Sequence, residues 1–182
     1  MAKNDVENGR LKESALNAIA EIASLREECR KQVIDAKLLP DIVQALEHPA
    51  SGIRLAACQC LRSLSRSVKN LRTALLDAGI AMPLFKLLSD EALEVQEAAT
   101  ATICNIVLEF APMKKIVLEN GGIEKLVAMS RSMDLSLRVN CVWALKNLLY
   151  GADEAVKEMV MKSLTYEGLT KSVLFFLSRC NP

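Results

Sequence analysis

The segment LEVQEAATATICNIVLE, residues 93–109, decides the fold because its apolar residues recur with the 3.6-residue period of an α-helix. Its apolar face recurs four times along the chain at one fixed period and without a gap. Stepping by 42 gives four rows of matching residues: Leu11, Ile53, Val95, Leu137; Ala15, Ala57, Ala99, Cys141; Ile19, Leu61, Ile103, Leu145; and Ile22, Leu64, Ile106, Leu148. A fixed period of this length is typical of stacked supersecondary units, each of which buries its apolar face against a neighbour.

Each 42-residue unit carries the signals of three helices. After the long helix at 93–109, Pro112 interrupts the helical pattern, and a short helix follows from Met113 to Glu119. Gly121 provides a turn, since glycine adopts a positive φ without steric cost, and a third helix runs from Ile123 to Met129. Three helices in a unit of this length favour an armadillo unit over two-helix repeats of about 33 or 34 residues and over two-helix HEAT units. The sequence therefore predicts an all-α fold, an armadillo-type α-solenoid in which three-helix 42-residue repeats form a right-handed superhelix.

The period also predicts the organisation of the chain. We expect a single armadillo-repeat domain, residues 1–182, with a partial repeat at 9–50, repeats at 51–92 and 93–134, and an atypical final repeat at 135–182. A solenoid needs polar capping units at its ends, and neither end has the composition of one. We therefore expect a fragment or a short variant of a longer array, or a partner that covers one end, and self-association through the uncapped ends is one such contact.

Composition excludes several classes of partner. Twenty-three Lys and Arg stand against 22 Asp and Glu, so the net charge of +1 lacks the basic footprint of a nucleic-acid-binding protein and offers little attraction to a membrane surface. No stretch approaches 18 apolar residues, and residues 1–10 are polar, without the apolar segment of a secretory signal. We expect an intracellular protein that binds neither nucleic acid nor membrane.

Catalytic and metal-binding patterns are missing from the sequence. His48 is the only histidine and stands beside Pro49 in a predicted loop, so a catalytic triad would depend on one exposed ring. Cys58 and Cys60 are two residues apart on a helix and point to different faces, which argues against a shared metal ion. We expect no catalytic residues, no metal and no cofactor, and we expect the six cysteines to be reduced and mostly packed.

The informative surface is the face of the fourth long helix opposite its packed row. Ser136, Asn140, Trp143, Asn147 and Tyr150 form a stripe on that face at spacings of 3 and 4 residues. Trp and Tyr offer a large contact area at small entropic cost and are enriched in binding hot spots. Two interpretations of Trp143 stay open: an exposed anchor for a partner, or a ring packed beneath a neighbouring unit.

Asn105 lies one period before Asn147 and keeps the same chemistry. Stacked helices lie about 8 to 10 Å apart, and an extended peptide advances about 3.3 Å per residue. The two asparagines therefore have the spacing to clamp one extended main chain at points two to three residues apart. Asn suits such a clamp because its side chain both donates and accepts hydrogen bonds.

The segments LEVQEAATATICNIVL and KKIVLENGGIEKLV resemble the armadillo consensus, in which the third helix lines a concave groove and carries a Trp and an Asn that hold extended peptides. Trp143 and Asn147 match that pair, and Asn105 matches the Asn alone. One function that this resemblance implies is that of an importin-α-like adaptor for basic nuclear-localisation peptides. The other units depart from the consensus: the Asn row holds Ser63 and Glu21, and the Trp row holds Ala101, Gln59 and Asn17.

A more specific resemblance covers roughly residues 40 to 170. IRLAACQCLRSLSRSVKNLRTALLDA, CNIVLEFAPMKKIVLENGGIEKL and LRVNCVWALKNLLYGA look like the C-terminal half of the armadillo subunits of CTLH/GID ubiquitin ligases. Within these segments, SLSRSV and LEFAPMKK are not part of the general repeat consensus.

This second resemblance implies a non-catalytic scaffold that attaches to the ligase core, docks a substrate receptor and supports ubiquitin-dependent protein degradation in the cytoplasm and nucleus. In that family the C-terminal tail of the receptor lies in the concave groove. The residues that the resemblance points to for holding the tail are Trp143, Asn147 and Tyr150, with Asn140 and Asn105 beside them. A purely structural repeat segment without a groove ligand is the remaining alternative.

Overall fold

The computed structural model of the chain describes residues 2–67, 69–108 and 110–177. These residues are mostly helical and contain no strand. Twelve helices occur within these residues: α1 Ala2–Leu25, α2 Glu27–Asp35, α3 Leu39–Ala45, α4 Ser51–Leu64, α5 Lys69–Asp77, α6 Ala81–Leu87, α7 Leu93–Ile106, α8 Ala111–Glu119, α9 Gly122–Met129, α10 Leu135–Leu149, α11 Glu154–Leu164 and α12 Tyr166–Leu177.

Pairs of short helices precede the long helices α4, α7 and α10, which begin at Ser51, Leu93 and Leu135 and therefore keep the period of the sequence pattern. Each long helix lies against the short helix just before it, as α3 lies against α4, α6 against α7 and α9 against α10. Each long helix also stacks on that of the previous unit, α4 on α1, α7 on α4 and α10 on α7. The predicted all-α armadillo-type solenoid is thus confirmed, while the residue limits of its repeats stay a prediction.

The four rows of the 42-residue pattern form the core of the later units. In α4, α7 and α10 every residue of these rows is at most 4% exposed, from Ile53 at the start of α4 to Leu148 near the end of α10. Full burial of one such aliphatic side chain contributes about 1.5–3 kcal/mol. The period visible in the sequence is therefore the period of the buried faces.

The turn between the two short helices of a unit requires a left-handed backbone. Lys37, Gly79 and Gly121 occupy this turn in three successive units, with φ of 57°, 77° and 71°. Glycine adopts this conformation without strain, whereas a residue with a Cβ pays about 1–2 kcal/mol. The first unit therefore makes the same turn as the others at a conformational cost.

Helix α1 is longer than the sequence suggested. The partial repeat was expected to begin at residue 9, but α1 runs from Ala2 to Leu25. The residues before Arg10 include no proline, and Gly9 lies within the helix although glycine costs about 1 kcal/mol there. At the other end, the side chains of residues 173–177, a concentrated apolar run in the sequence, lie outside the described part of the structure.

A buried ion pair joins two successive units. Arg54 on α4 reaches the loop after α6, where its Nε and Nη2 lie 2.7 and 2.8 Å from the two carboxylate oxygens of Asp90. Its Nη1 donates to the main-chain oxygens of His48 and Pro49. Burial alone would raise the pKa of the Asp90 carboxyl, but hydrogen bonds from Arg54 and from the N–H of Ala92 outweigh it and hold that pKa below its ordinary value.

Candidate protein-binding groove

A surface groove of about 630 Å³ crosses the long helices α4, α7 and α10. It lies on the helix faces opposite the buried rows. Leu55, for example, follows the buried Ile53 by two residues, about half a helical turn, and therefore points away from the buried face. Ten residues line it: Leu55, Gln59 and Arg62 from α4, Glu94, Glu97 and Ala98 from α7, and Leu135, Ser136, Val139 and Asn140 from α10. The groove therefore runs across three consecutive units.

The lining of the groove mixes apolar and charged side chains. Leu55, Glu97 and Val139 occupy equivalent positions in these three units, so one row supplies two aliphatic groups and one carboxylate. Glu94 adds a second carboxylate, and Arg62 adds one guanidinium. Such a surface offers both apolar area and charged groups to a partner.

Trp143 lies on α10 about one turn beyond Asn140, which lines the groove, but Trp143 is not itself one of the lining residues. Its side chain is 53% exposed, which answers the question left open by the sequence in favour of an exposed ring. The Nζ of Lys146 lies 4.6 Å from the centre of the indole ring, within the range of a cation–π interaction. The indole thus presents a large apolar surface to solvent with a cation held beside it.

Tyr150 follows the last residue of α10 and is more than half exposed. Lys114 of α8 lies 6.0 Å from the centre of its ring and donates a hydrogen bond to its main-chain oxygen. Tyr150 and Trp143 are therefore both exposed aromatic groups, and each has a lysine beside it.

Asn147 has a different geometry from the one that the clamp hypothesis requires. It is buried, and its Nδ2 donates to the main-chain oxygen of Cys104 at 2.9 Å. Asn105 makes the equivalent contact, with its Nδ2 3.4 Å from the oxygen of Arg62 and 3.2 Å from the Oγ of Ser65. The amide nitrogens that were expected to hold a peptide therefore point to the preceding long helix.

The physical reason lies at the helix ends. The last four carbonyls of a helix lack partners within it, and both Cys104 and Arg62 belong to such a last turn. Asn140 also reaches back 43 residues, to the oxygen of Glu97, but at a long 3.5 Å. Of the five candidate residues, the structure leaves Trp143 and Tyr150 exposed, whereas the asparagines bond within the stack.

Sequence reasoning did not single out the residues that α4 and α7 contribute to the groove, chiefly Leu55, Arg62, Glu94 and Glu97. Stepping back by 42 from Val139 to Glu97 and then to Leu55 would have found that row. Lys146 and Lys114 were also missed. Lys146 follows Trp143 by three residues, a spacing at which helical side chains meet.

The buried cysteines are not reactive groups. Burial raises the pKa of the Cys58, Cys60 and Cys141 thiols to about 12, so these thiols are protonated at neutral pH. Their predicted packing is confirmed, while Cys180 lies outside the described residues. In the part of the chain that the structure describes, no three His, Cys, Asp or Glu side chains form a group that could hold a metal ion. No helix among the described residues is both long and apolar enough to cross a membrane.

Two repeat patterns and several proteins match the sequence. The Armadillo/beta-catenin-like repeat matches residues 111–150, and the HEAT repeat matches residues 38–68. GID complex subunit 5 of Schizosaccharomyces pombe is 42% identical over 152 residues, which are 84% of this chain and 19% of that protein. Armadillo repeat-containing protein 8 of Danio rerio is 41% identical over 160 residues, 87% of this chain and 24% of that protein.

Solved structures share the fold. A crystal structure of an engineered protein superimposes with a TM-score of 0.82 at 28% identity, covering 88% of this chain and 66% of that one. A designed armadillo repeat protein in complex with the peptide (KR)4 has a TM-score of 0.80 at 24% identity, covering 87% of this chain and 66% of that one. At this identity the second likeness concerns the fold alone.

The stacked three-helix units, together with these matches, make the chain an armadillo-repeat solenoid. GID complex subunit 5 and Armadillo repeat-containing protein 8 are its homologues, and the resemblance to the armadillo subunit of GID-type complexes is confirmed. The chain spans about a fifth to a quarter of the length of these relatives.

Proposed function

We propose that the chain is part of a non-catalytic scaffold of a GID-type ubiquitin ligase, and that it docks an extended tail of a substrate receptor in the groove across α4, α7 and α10. Homology to GID complex subunit 5 supports the assignment to such a complex. The observation that carries the docking role is the solvent-exposed indole of Trp143, one helical turn along α10 from the groove residue Asn140.

The dimensions of the groove suit an extended segment. Three helices stacked about 8 to 10 Å apart span about 16–20 Å between the outer two. An extended chain advances about 3.3 Å per residue, so the groove accommodates about five or six residues. Apolar side chains of the tail would contact Leu55 and Val139, and its terminal part would reach the indole of Trp143.

In this proposal the chain contributes binding surface, and other subunits carry out ubiquitin transfer. The same scaffold would contact subunits of the ligase core and would act with the ligase in the cytoplasm and nucleus. Homology to GID complex subunit 5 and Armadillo repeat-containing protein 8 supports the contact with the ligase core and the place of action.

The test is the affinity of a purified GID substrate receptor for the wild-type chain and for Trp143→Ala. Loss of an aromatic hot-spot residue costs about 2 kcal/mol, so we expect an affinity about 30-fold lower. Tyr166→Ala is the matched control, because Tyr166 is a more exposed aromatic residue on α12, away from the groove. Equal affinities for wild type and Trp143→Ala would remove the proposed role of the groove.

An adaptor for basic peptides is the second candidate, favoured by the carboxylates of Glu94 and Glu97 in the groove. Against it, Lys146 lies beside Trp143 and Lys114 lies beside Tyr150. The cations of a basic peptide would approach both rings and would be repelled there by the positive charges of these two lysines.

A further inference from the structure

A second cavity, of about 450 Å³, lies where the end of α9 and the first turn of α10 meet the corner between α11 and α12. Its lining includes three cations, Arg131, Arg138 and Lys171, and one carboxylate, Glu167. It shares no lining residue with the groove across α4, α7 and α10. The cavity is therefore a separate surface, and its lining carries two excess positive charges.

The corresponding corner two units earlier also contains a cavity, of about 410 Å³. Three pairs of lining residues correspond between the two cavities: Glu47 and Arg131, Arg54 and Arg138, and Lys86 and Lys171. The members of the first two pairs are two 42-residue periods apart, and each lysine is the sixth residue of its short helix, α6 or α12. The earlier cavity therefore shows which groups bind at these positions of the fold.

The charges of the earlier cavity are matched. Nε and Nη2 of Arg54 lie 2.7 and 2.8 Å from the two carboxylate oxygens of Asp90. Nζ of Lys86 lies 2.9 Å from Oε1 of Glu47. These four side chains line the cavity, and each of the two cations binds one of the two carboxylates. A carboxylate is thus the group that these cationic positions bind within the chain itself.

The later cavity lacks this balance. Arg131 takes the position of Glu47, so a cation stands where the earlier corner has the carboxylate that binds its lysine. Lys171 pairs instead with Glu167, one turn earlier on its own helix, at 2.6 Å. Among the residues described, no ion pair involves Arg131. The only carboxylate of the lining is therefore held by the lysine, and the charge of Arg131 is left for an anion from outside.

We propose that this cavity binds an acidic segment of a partner protein, whose carboxylates contact Arg131 and Arg138. The segment supplies the negative charge that Glu47 and Asp90 supply at the earlier corner. Arginine suits this role because its planar guanidinium binds a carboxylate through two parallel hydrogen bonds. A partner bound here leaves the groove across α4, α7 and α10 free, so the chain has two separate docking surfaces.

The test is an NMR titration of the ¹⁵N-labelled chain with a synthetic peptide of alternating Glu and Ser residues. We expect saturable shifts of the Nε–H signals of Arg131 and Arg138. The indole N–H of Trp143, the only tryptophan, should not shift, because Trp143 does not line the cavity. Arg131 and Lys171 are exposed, so the affinity should fall as salt is added.

Two variants take their side chains from other units of the chain, so the fold already accepts these residues at equivalent positions. Arg131→Glu copies Glu47, and Arg138→Gln copies Gln96, one period earlier. Arg131→Glu replaces an attraction with a repulsion, and we expect about tenfold lower affinity at low salt. Arg138→Gln removes one attraction and should lower the affinity about threefold. Arg26→Glu is the matched control, since Arg26 is an exposed arginine between α1 and α2, and it should bind as wild type does.

Several outcomes would overturn the proposal. They are the absence of binding to wild type, equal affinities for wild type and the two cavity variants, and a shift of the Trp143 indole while the arginine signals stay fixed. The last result would assign the acidic peptide to the groove. A peptide with phosphoserine in place of Glu distinguishes the anions, and binding of that peptide alone would contradict carboxylate recognition and indicate a phosphate site.

The cavity and the groove fail separately. Trp143→Ala should bind the acidic peptide as wild type does, because the indole lies outside the cavity. Arg131→Glu should bind the receptor in the groove as wild type does, because Arg131 does not line the groove. Helical circular dichroism equal to wild type verifies the fold of each variant.

Discussion

The amide nitrogen of Asn147 lies 2.9 Å from the main-chain oxygen of Cys104, on the preceding long helix. Cys104 belongs to the last turn of α7, whose carbonyls lack partners within the helix. Asn105 makes the equivalent bond to Arg62 one unit earlier. The asparagines that match the armadillo consensus therefore hold successive units together in the unbound chain.

Asn147→Asp tests this role. The substitution removes both N–H donors and places a carboxylate against the oxygen of Cys104, so we expect the free energy of unfolding to fall by about 1–3 kcal/mol. The control is Asn140→Asp, because Asn140 is less buried and its bond to Glu97 is 3.5 Å long. Urea unfolding followed by circular dichroism gives both values. Equal losses for the two variants would show that Asn147 has no special role in the stack.

The left-handed turn at Lys37 leads to a stabilising substitution. Lys37→Gly relieves a Cβ at φ 57° and should raise the free energy of unfolding by about 0.5–1 kcal/mol, after the greater freedom of glycine in the unfolded chain is counted. Lys31→Gly, at an exposed position inside α2, should do the opposite and cost about 1 kcal/mol. Thermal and urea unfolding measure both, and a destabilised Lys37→Gly variant would contradict the strain argument.

The Arg54–Asp90 pair predicts a pH dependence of stability. At neutral pH, Asp90→Asn removes the buried carboxylate partner of Arg54 and leaves the exposed carboxylate of Glu91, 3.6 Å away, so it should cost up to roughly 3 kcal/mol. The pKa of Asp90 is depressed in the folded chain, so its contribution is fully present above the ordinary pKa of an aspartate, about 3.9. The contribution is lost as the pH falls through the lower folded value.

The measurement is the free energy of unfolding of wild type and Asp90→Asn at a series of pH values. The difference between them should be constant near neutrality and should shrink only in strong acid. Glu47→Gln is the control, since Glu47 pairs with Lys86 on an exposed surface and should change stability by no more than about 1 kcal/mol. A difference that stays constant down to strong acid would mean that the pKa of Asp90 is not depressed.

Binding of a basic peptide separates the two candidate functions. Because Lys146 and Lys114 lie beside the exposed rings, we expect the (KR)4 peptide to bind the chain more weakly than the receptor tail does, even at low salt. Fluorescence anisotropy of labelled peptides at two salt concentrations measures this. Tight binding of (KR)4 that weakens steeply with added salt would favour the adaptor function.

The fold could be predicted from the sequence because the buried faces repeat with an unbroken 42-residue period. The period predicts that Ile53, Val95 and Leu137 occupy one row, and all three are buried. The start of α1 could not be predicted, since the polar residues before Arg10 carry no apolar pattern. The helix nevertheless includes them, because no proline interrupts it there.

The candidate site was predicted only in part. The spacing placed Trp143 on α10 and Tyr150, just after its last residue, in one stripe, and both are exposed. The direction of the Asn147 amide could not be predicted, because it depends on an unpaired carbonyl 43 residues away on another helix. The position of Lys114 beside Tyr150 likewise depends on how α8 approaches the end of α10, which no local pattern encodes.

The fluorescence of Trp143 during titration with a purified GID substrate receptor tests the docking of a partner in the groove most directly. Trp143 is the only tryptophan and is half exposed, so the free chain should emit at long wavelength and be quenched readily by acrylamide. With a tryptophan-free receptor tail as titrant, binding should shift the emission to shorter wavelength and protect the ring from the quencher. An unchanged spectrum and unchanged quenching at saturation of binding would contradict docking at this groove.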